Sequence, residues 1–330
     1  MNFAFGTYVV NAPFPLPSLP NIGEVRDNAC LISVEWADTG ITQDLEWQHH
    51  WIDRSQTQLS LARQETGYVL RVPGCADFLL NVATRTVRVP SISDSLDAST
   101  LEHLLVDQVF PRLLSQLGDT VIHAATVRIG QQHAVFLGDS GWGKSTLSGL
   151  LHRAGYPILS DDCLQLFPEP AGRVRVIPTY PSLRLKPDSL NALFPDSAGT
   201  MPFAGNSGKR RVPLAGSSGS QQAATADALY LLGDPSLADG NIRIVPISQA
   251  KACLALIRHS FRLDLADREA SQLQLQRCAS IASAIPGFEL HYPHEHDRNA
   301  ALLQTLLEHV GTLSGRSEES KRRQREPTPR

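Results

Sequence analysis

The segment Gly138-Asp139-Ser140-Gly141-Trp142-Gly143-Lys144-Ser145 restricts what this chain can fold into more than any other. It reads G-x-x-x-x-G-K-S, the pattern of a phosphate-binding loop. Glycines let successive backbone N–H groups converge on phosphate oxygens. The pattern sets the Lys144 ammonium on the β- and γ-phosphates and the Ser145 hydroxyl on Mg²⁺. The positive end of the following helix points at the same phosphates. Flanking residues agree. His133–Leu137 reads as a buried strand, and 145–154 reads as a helix stopped by Gly155. Strand, glycine loop and helix in this order predict an α/β fold that binds ATP with Mg²⁺. The expected contacts are Gly138, Asp139, Ser140, Gly141, Trp142, Gly143, Lys144, Ser145 and Thr146. Trp142 is a bulky residue for such a loop, and is expected either to pack beneath it or to cover the site.

Two carboxylates follow at short range. Tyr156–Ser160 reads as a short strand ending in Asp161-Asp162, and Asp161 lies 16 positions after Ser145. Adjacent carboxylates are costly to ionise together unless a cation is near. Lys144 and Mg²⁺ would supply that cation. Upstream, Thr120–Ile129 reads as one strand carrying His123 in an apolar setting, with a hairpin at Gly130 leading into the strand before the loop. That antecedent hairpin is foreign to an ordinary phosphate-loop fold, which begins β-α-β. Further along, Arg184 sits between two leucines in an extended segment. A Gly/Ser-rich stretch over 204–225 carries Lys209, Arg210 and Arg211, a composition suited to a lid closing on phosphates.

The remaining chain divides into parts. Residues 1–98 are β-rich, with candidate strands at Ala29–Trp36, Gln58–Ala62, Tyr68–Val72, Phe78–Val82 and Thr86–Val89. Pro13, Pro15, Pro17 and Pro20 make the opening segment extended. Trp36, Trp47 and Trp51 read as sheet-face packing, and His49-His50 as structural, since neighbours on a strand point to opposite faces. A linking helix is expected over 99–117, with a Ser99/Glu102 capping box, a kink at Pro111 and a stop at Gly118. Residues 99–312 form the expected catalytic domain. Its later part holds strands at Ala228–Leu232, Ile242–Pro246 and Phe288–Tyr292, and helices at Ser248–Arg258, Arg268–Ala284 and Arg298–Val310. His294-Glu295-His296 reads as surface. Residues 313–330 read as a disordered charged tail.

Bulk properties exclude several classes. The 330 residues carry a formal charge of −3, with 42% hydrophobic and 19% charged residues. No general nucleic-acid or membrane partner is indicated. Six basic and three acidic residues fall between Arg316 and Arg330, so that tail is +3 and the remainder −6. Five scattered cysteines without a C-x-x-C indicate reduced thiols rather than a zinc site or disulfide frame, hence a cytoplasmic setting. The N-terminus has no signal-peptide pattern, and no run of residues is long and apolar enough for a membrane span.

The block His123–Asp162 resembles the catalytic domain of HPr kinase/phosphorylase. A His-small pair, His123-Ala124, stands 15 positions before Gly138, the loop follows a hairpin, and Leu159-Ser160-Asp161-Asp162 closes the block. The resemblance implies a mixed α/β fold of the HPr-kinase/PEP-carboxykinase kind with a mainly β N-terminal domain. It implies a kinase that phosphorylates a Ser/Thr hydroxyl of a peptide or small protein and leaves room for a homo-oligomer. Within it, Asp161 is the base, His123 tunes it, Ser145 and Asp162 hold Mg²⁺, and Lys144 and Arg184 stabilise charge. More narrowly, Phe5-Gly6, Leu16–Pro20 and Ile122–Ala125 resemble diverged members found beside peptide-modification genes, including lasso-peptide clusters. The family's Glu and Arg-Gly signature is replaced here by Pro181-Ser182-Leu183-Arg184-Leu185, with Arg184 the one counterpart. That departure weighs against phosphorylase activity and against HPr as substrate. A small-molecule hydroxyl kinase and a non-catalytic ATP-binding regulator are the alternatives.

Overall fold

Alternating apolar residues in the first ninety positions build one eight-stranded sheet. A computed structural model describes residues 1–26, 28–37, 45–53, 56–90, 96–170, 172–180, 183–196, 208–212, 214 and 223–323. The strands are β1 (Asn2–Phe5), β2 (Tyr8–Asn11), β3 (Cys30–Trp36), β4 (Trp47–Asp53), β5 (Gln56–Gln64), β6 (Gly67–Val72), β7 (Ala76–Asn81) and β8 (Thr86–Val89). Their order is β1-β2-β3-β8-β7-β6-β5-β4. The five expected strands are present within a residue or two, and β1, β2 and β4 are additional. The opening prolines follow β2, outside any strand. Trp47 lies under the Arg71 guanidinium and Trp51 under that of Arg112. His50 Nδ1 bonds Ser60 Oγ at 2.8 Å, and His49 stands edge-on to Trp51.

The linking helix differs from its expected form in an informative way. It comprises α1 (Ala98–Leu104), a π-helical turn (Leu105–Val109) and α2 (Phe110–Gln116). Pro111 has no N–H to offer the carbonyl of Asp107. The ladder widens just before it, and the Phe110 N–H bonds Leu105 O instead. The cap is Asp97, whose side chain accepts from Thr100 N at 2.6 Å. Ser99 is therefore not the cap. Glu102 is buried and accepts from Ser18 N and Oγ at 2.5 and 2.6 Å, pinning the proline segment to the helix. Leu101, Leu105, Val109 and Leu113 bury into the N-terminal core, which reaches on to Val121, Cys163 and Tyr180.

The expected single strand over 120–129 is two. β9 (Thr120–Ile122) belongs to a four-stranded antiparallel sheet, and β10 (Ala125–Ile129) to a six-stranded mixed sheet. His123-Ala124 is the crossing between them, and the His123 N–H donates to His259 O at 2.8 Å. β10 turns through Gly130 into β11 (Gln132–Leu137), which runs into the glycine loop and α3 (Lys144–Arg153). After β12 (Ile158–Ser160), the hairpin β13 (Leu164–Glu169) and β14 (Arg173–Pro178) extends the smaller sheet. β15 (Arg184–Leu185) and α4 (Pro187–Leu193) follow, then β16 (Arg210–Arg211), β17 (Ala224–Ala226), β18 (Ala228–Leu232) and β19 (Arg243–Pro246). The chain ends with α5 (Gln249–His259), α6 (Arg268–Ala284), β20 (Gly287–His291) and α7 (Asn299–Arg323).

The six-stranded order is β12-β10-β11-β18-β20-β19, with β11, β18 and β20 parallel; the smaller sheet runs β17-β14-β13-β9. α3 and α7 cover one face of the larger sheet through Leu147, Leu151, Leu302 and Leu306, while α5 and α6 fill the space between the two sheets. The result is a mixed α/β architecture of several sheets. Two expectations at the C-terminus are corrected. α7 runs past Val310, the expected end of the last helix, and continues to Arg323 in the region expected as disordered tail, and residues 324–330 lie outside the described residues. Most of the glycine-rich stretch assigned to a lid, 204–207, 213 and 215–222, also lies outside them. No helix among the described residues is long and apolar enough to cross a membrane.

Candidate functional site

The loop is built on two left-handed glycines. Gly141 and Gly143 hold φ of 85° and 89°, and Gly143 is the N-cap of α3. An L side chain is strained at that φ, and a Cβ on Gly143 would also overlap the Tyr292 hydroxyl. The Trp142 N–H donates to Asp139 O at 3.1 Å, closing a turn, and the Tyr292 hydroxyl donates to Trp142 O at 3.4 Å. Trp142 itself is half-buried against the core beneath α3, the packing role of the two expected for it. Asp139 is ion-paired with Arg258, next to the His259 ring.

Lys144 is buried, and its Nζ donates to Gly138 O at 2.5 Å. Burial draws its ammonium down to about 8, against the pull of Asp161 and Asp162 in the opposite direction. A cation held in this way is primed for a polyanion, which would restore its charge partner.

The paired aspartates have opposite environments. Ser160 Oγ donates to Cys163 O at 2.7 Å and closes the turn that carries both. Asp161 is 1% exposed, and neither of its carboxylate oxygens has a hydrogen-bond partner. Burial, then the neighbouring Asp162 charge, raises its proton affinity; the Ser145 and Ser148 hydroxyls oppose that rise. Asp162 is the reverse. Burial also works against its charge, but the Arg184 guanidinium outweighs it and holds the carboxyl far below the usual range. Arg184 Nε and Nη2 reach Asp162 Oδ2 at 3.0 and 2.8 Å.

The far side of Arg184 is anchored on the linking helix. Nη1 donates to Asp107 Oδ2 and lies 2.8 Å from His103 Nδ1, while the Tyr180 hydroxyl donates to Asp107 Oδ1. The π-helical turn thus brings a buried carboxylate to the opposite end of the guanidinium. Sequence reasoning missed Asp107. Its signal was an acid on the apolar stripe of a helix, since a buried charge needs a partner.

His123 Nδ1 lies 2.8 Å from the Asp162 carbonyl oxygen. A carbonyl only accepts, so Nδ1 carries the proton and Nε2 keeps its lone pair. Burial, and then the Lys144 charge, push the ring's proton affinity down to about 3. His123 is neutral in this site.

Two cavities meet here. The first, about 240 Å³, is lined by Asp139–Gly141, Gly143–Thr146 and Lys209, and extends along α3 to Leu150, Tyr292 and Asn299; the expected contacts Gly138 and Trp142 do not line it. The second, about 290 Å³, is lined by Asp107, Gln108, Asp162 and Phe261. His123, Ser140 and Arg184 line both. Asp161 lines neither. Of the basic cluster, Lys209 reaches the first cavity, whereas Arg210 and Arg211 form β16 against β15, with Arg211 Nη2 3.5 Å from Glu102. His294 is exposed, as expected, and also lines the first cavity and stacks on Tyr292 at 4.8 Å.

The residues at the loop fit a divalent cation carried by phosphates. Asp161 offers two buried oxygens without partners beside the Ser145 hydroxyl. Among the described residues no group of three or more His, Cys, Asp or Glu side chains could hold a metal by itself. A cation here would complete its shell with water and phosphate oxygens, the usual habit of Mg²⁺.

No protein-family model matches the chain. No curated protein matches it either. Among solved structures, the chain is similar to the HPr(Ser) kinase/phosphatase from Coxiella burnetii. Identity is 16%, the match covers 63% of this chain and 99% of that one, and the TM-score is 0.34.

Proposed function

We propose that this protein is a Mg²⁺-dependent phosphotransferase that moves the γ-phosphate of ATP to a Ser/Thr hydroxyl of a peptide or small protein. The observation that carries the reading is the placing of buried Lys144 and buried Asp161 at the loop, beside a second cavity lined by ionised Asp162 and neutral His123. Backbone N–H groups of the loop and the Lys144 ammonium bind the triphosphate and stabilise charge as it develops. Ser145 and Asp161 hold the cation, which when bound neutralises the phosphate oxygens. The acceptor hydroxyl donates to the Asp162 carboxylate, which takes its proton as the bond to the γ-phosphorus forms and the bond from that phosphorus to the β-phosphate oxygen breaks, while neutral His123 holds the Asp162 backbone through its Nδ1–H. Arg184 keeps Asp162 ionised and fixed. This exchanges the roles expected for the two aspartates, because Asp162 faces a cavity and Asp161 does not.

A second reading keeps the chemistry and changes the carrier. The cavity beside Asp162 is about 290 Å³, room for one side chain or one small alcohol. Incubating the full chain with γ-³²P-ATP and Mg²⁺, with serine-containing peptides in one arm and small alcohols in another, separates the two carriers. Label in a peptide phosphomonoester supports the first reading, and label in a small phosphate ester the second. MgATP binding without transfer or hydrolysis in any arm supports the non-catalytic regulator and overturns both.

A further inference from the structure

The first cavity has an end that phosphates do not need. Beyond the loop it is walled by Leu147 and Leu150 of α3, Leu185 of β15 and Leu302 of α7, with Lys186 and Ser189 beside Leu185 and with Tyr292 and His294 stacked at its rim. Leu150 lies six residues into α3 from Lys144, about 9 Å along the axis at a rise of about 1.5 Å per residue. A nucleobase hangs at about that distance from a β-phosphate held at the helix start. The acceptor side is accounted for by the other cavity, so an apolar slot here has no part in phosphate or acceptor binding. Phosphates are repelled by such walls, whereas a flat aromatic heterocycle gains from them.

One carboxamide among the described lining residues faces the slot with its hydrogen bonds unmade. Asn299, the first residue of α7, lines the cavity and is half-buried, and its amide has no partner among the described residues. An amide offers one acceptor and one donor side by side, the complement of an adenine edge with its exocyclic N–H and ring nitrogen. Guanine presents two adjacent N–H donors instead, which call for a carboxylate. Among the described lining residues the only carboxylate is Asp139, at the loop and already paired with Arg258.

Resting on the phosphotransferase reading, we propose that this slot is an adenine site, with Asn299 as the residue that selects ATP over GTP and over a bare polyphosphate. The chain would then take its donor by the base as well as by the phosphates. The test is calorimetric titration of the full chain, in Mg²⁺, with ATP, GTP and inorganic tripolyphosphate. Wild type should bind ATP about tenfold or more tightly than either competitor, a difference of about 1.4 kcal/mol. Asn299→Ala should bring ATP down to the tripolyphosphate level while leaving tripolyphosphate unchanged. Asn299→Asp should shift preference from ATP toward GTP. ATP and tripolyphosphate binding equally to wild type, or Asn299→Ala weakening both alike, would overturn the adenine site and leave the phosphate loop standing. No binding of any of the three would overturn the phosphotransferase reading itself, and the adenine site with it.

Discussion

Arg184 donates from Nε and Nη2 to a single carboxylate oxygen of Asp162, at 3.0 and 2.8 Å, while its other end holds Asp107. One guanidinium thus bridges two buried carboxylates from different parts of the chain, one beside the loop and one on the linking helix. Replacing it leaves both carboxylates buried without their guanidinium, Asp107 keeping the Tyr180 hydroxyl and the His103 ring. Arg184→Ala is expected to lower stability by about 3–5 kcal/mol, read by urea denaturation. A loss below about 1 kcal/mol would mean that the network is not holding the two parts together.

Asp161 is the opposite case, a carboxylate whose charge the fold disfavours. Its proton affinity is raised, so the folded state binds more protons than the unfolded one above the ordinary carboxylate range. Stability from this group therefore falls as pH rises through that range, and at neutral pH its charge is a net cost. Asp161→Asn should stabilise the nucleotide-free protein by about 1–3 kcal/mol at pH 7.5 and remove the enhancement of ATP affinity by Mg²⁺. Denaturation and titration with and without Mg²⁺ check both halves. A destabilised variant that keeps its Mg²⁺ response would contradict the assignment.

His123 titrates in the other direction. Burial lowers it to about 3, so the folded state binds fewer protons than the unfolded one between there and the ordinary histidine range. Stability from this group is fully present above about pH 6.5 and is lost as pH falls toward 3. Nitrogen-15 NMR of the ring should show a neutral imidazole protonated at Nδ1, unchanged from pH 5 to 8. A ring that titrates near pH 6.5 would remove His123 from its place against the Asp162 carbonyl.

Gly143 joins loop geometry to the stacked rings. Gly143→Ala places a side chain at φ 89°, against the Tyr292 hydroxyl. Strain of about 1–2 kcal/mol is expected in the stability, with at least a tenfold loss of ATP affinity as the loop shifts. Unchanged affinity would show that the loop tolerates a Cβ there, so that its conformation is not what binds phosphate.

The strand, loop and first helix were legible in the sequence because local rules decide them. The glycines at 141 and 143, the stop at Gly155 and the hairpin at Gly130 each answer a backbone demand that few other residues meet. What the sequence hid was long-range. Nothing local says that residues 120–129 break at His123 to serve two sheets. The π-helical turn follows from Pro111, but that it delivers Asp107 to Arg184 depends on how the helix packs. His294 is at the surface as expected, but its place beside Tyr292 and Gly143, one of them 151 positions away, is not legible locally. The aspartate pair was visible, whereas the difference between its members comes from burial and from Arg184, neither of which spacing reports.

The central claim is that this loop positions a triphosphate for transfer, with Lys144 indispensable. The most direct measurement is ³¹P NMR of MgATP with a serine-containing acceptor peptide, comparing wild type with Lys144→Ala at equal concentration. The account predicts that the γ-phosphate signal decays in wild type as a phosphomonoester signal grows, and that both stay flat in the variant. Transfer at the same rate in the variant, or MgATP bound and unaltered by wild type whatever the acceptor, would contradict it.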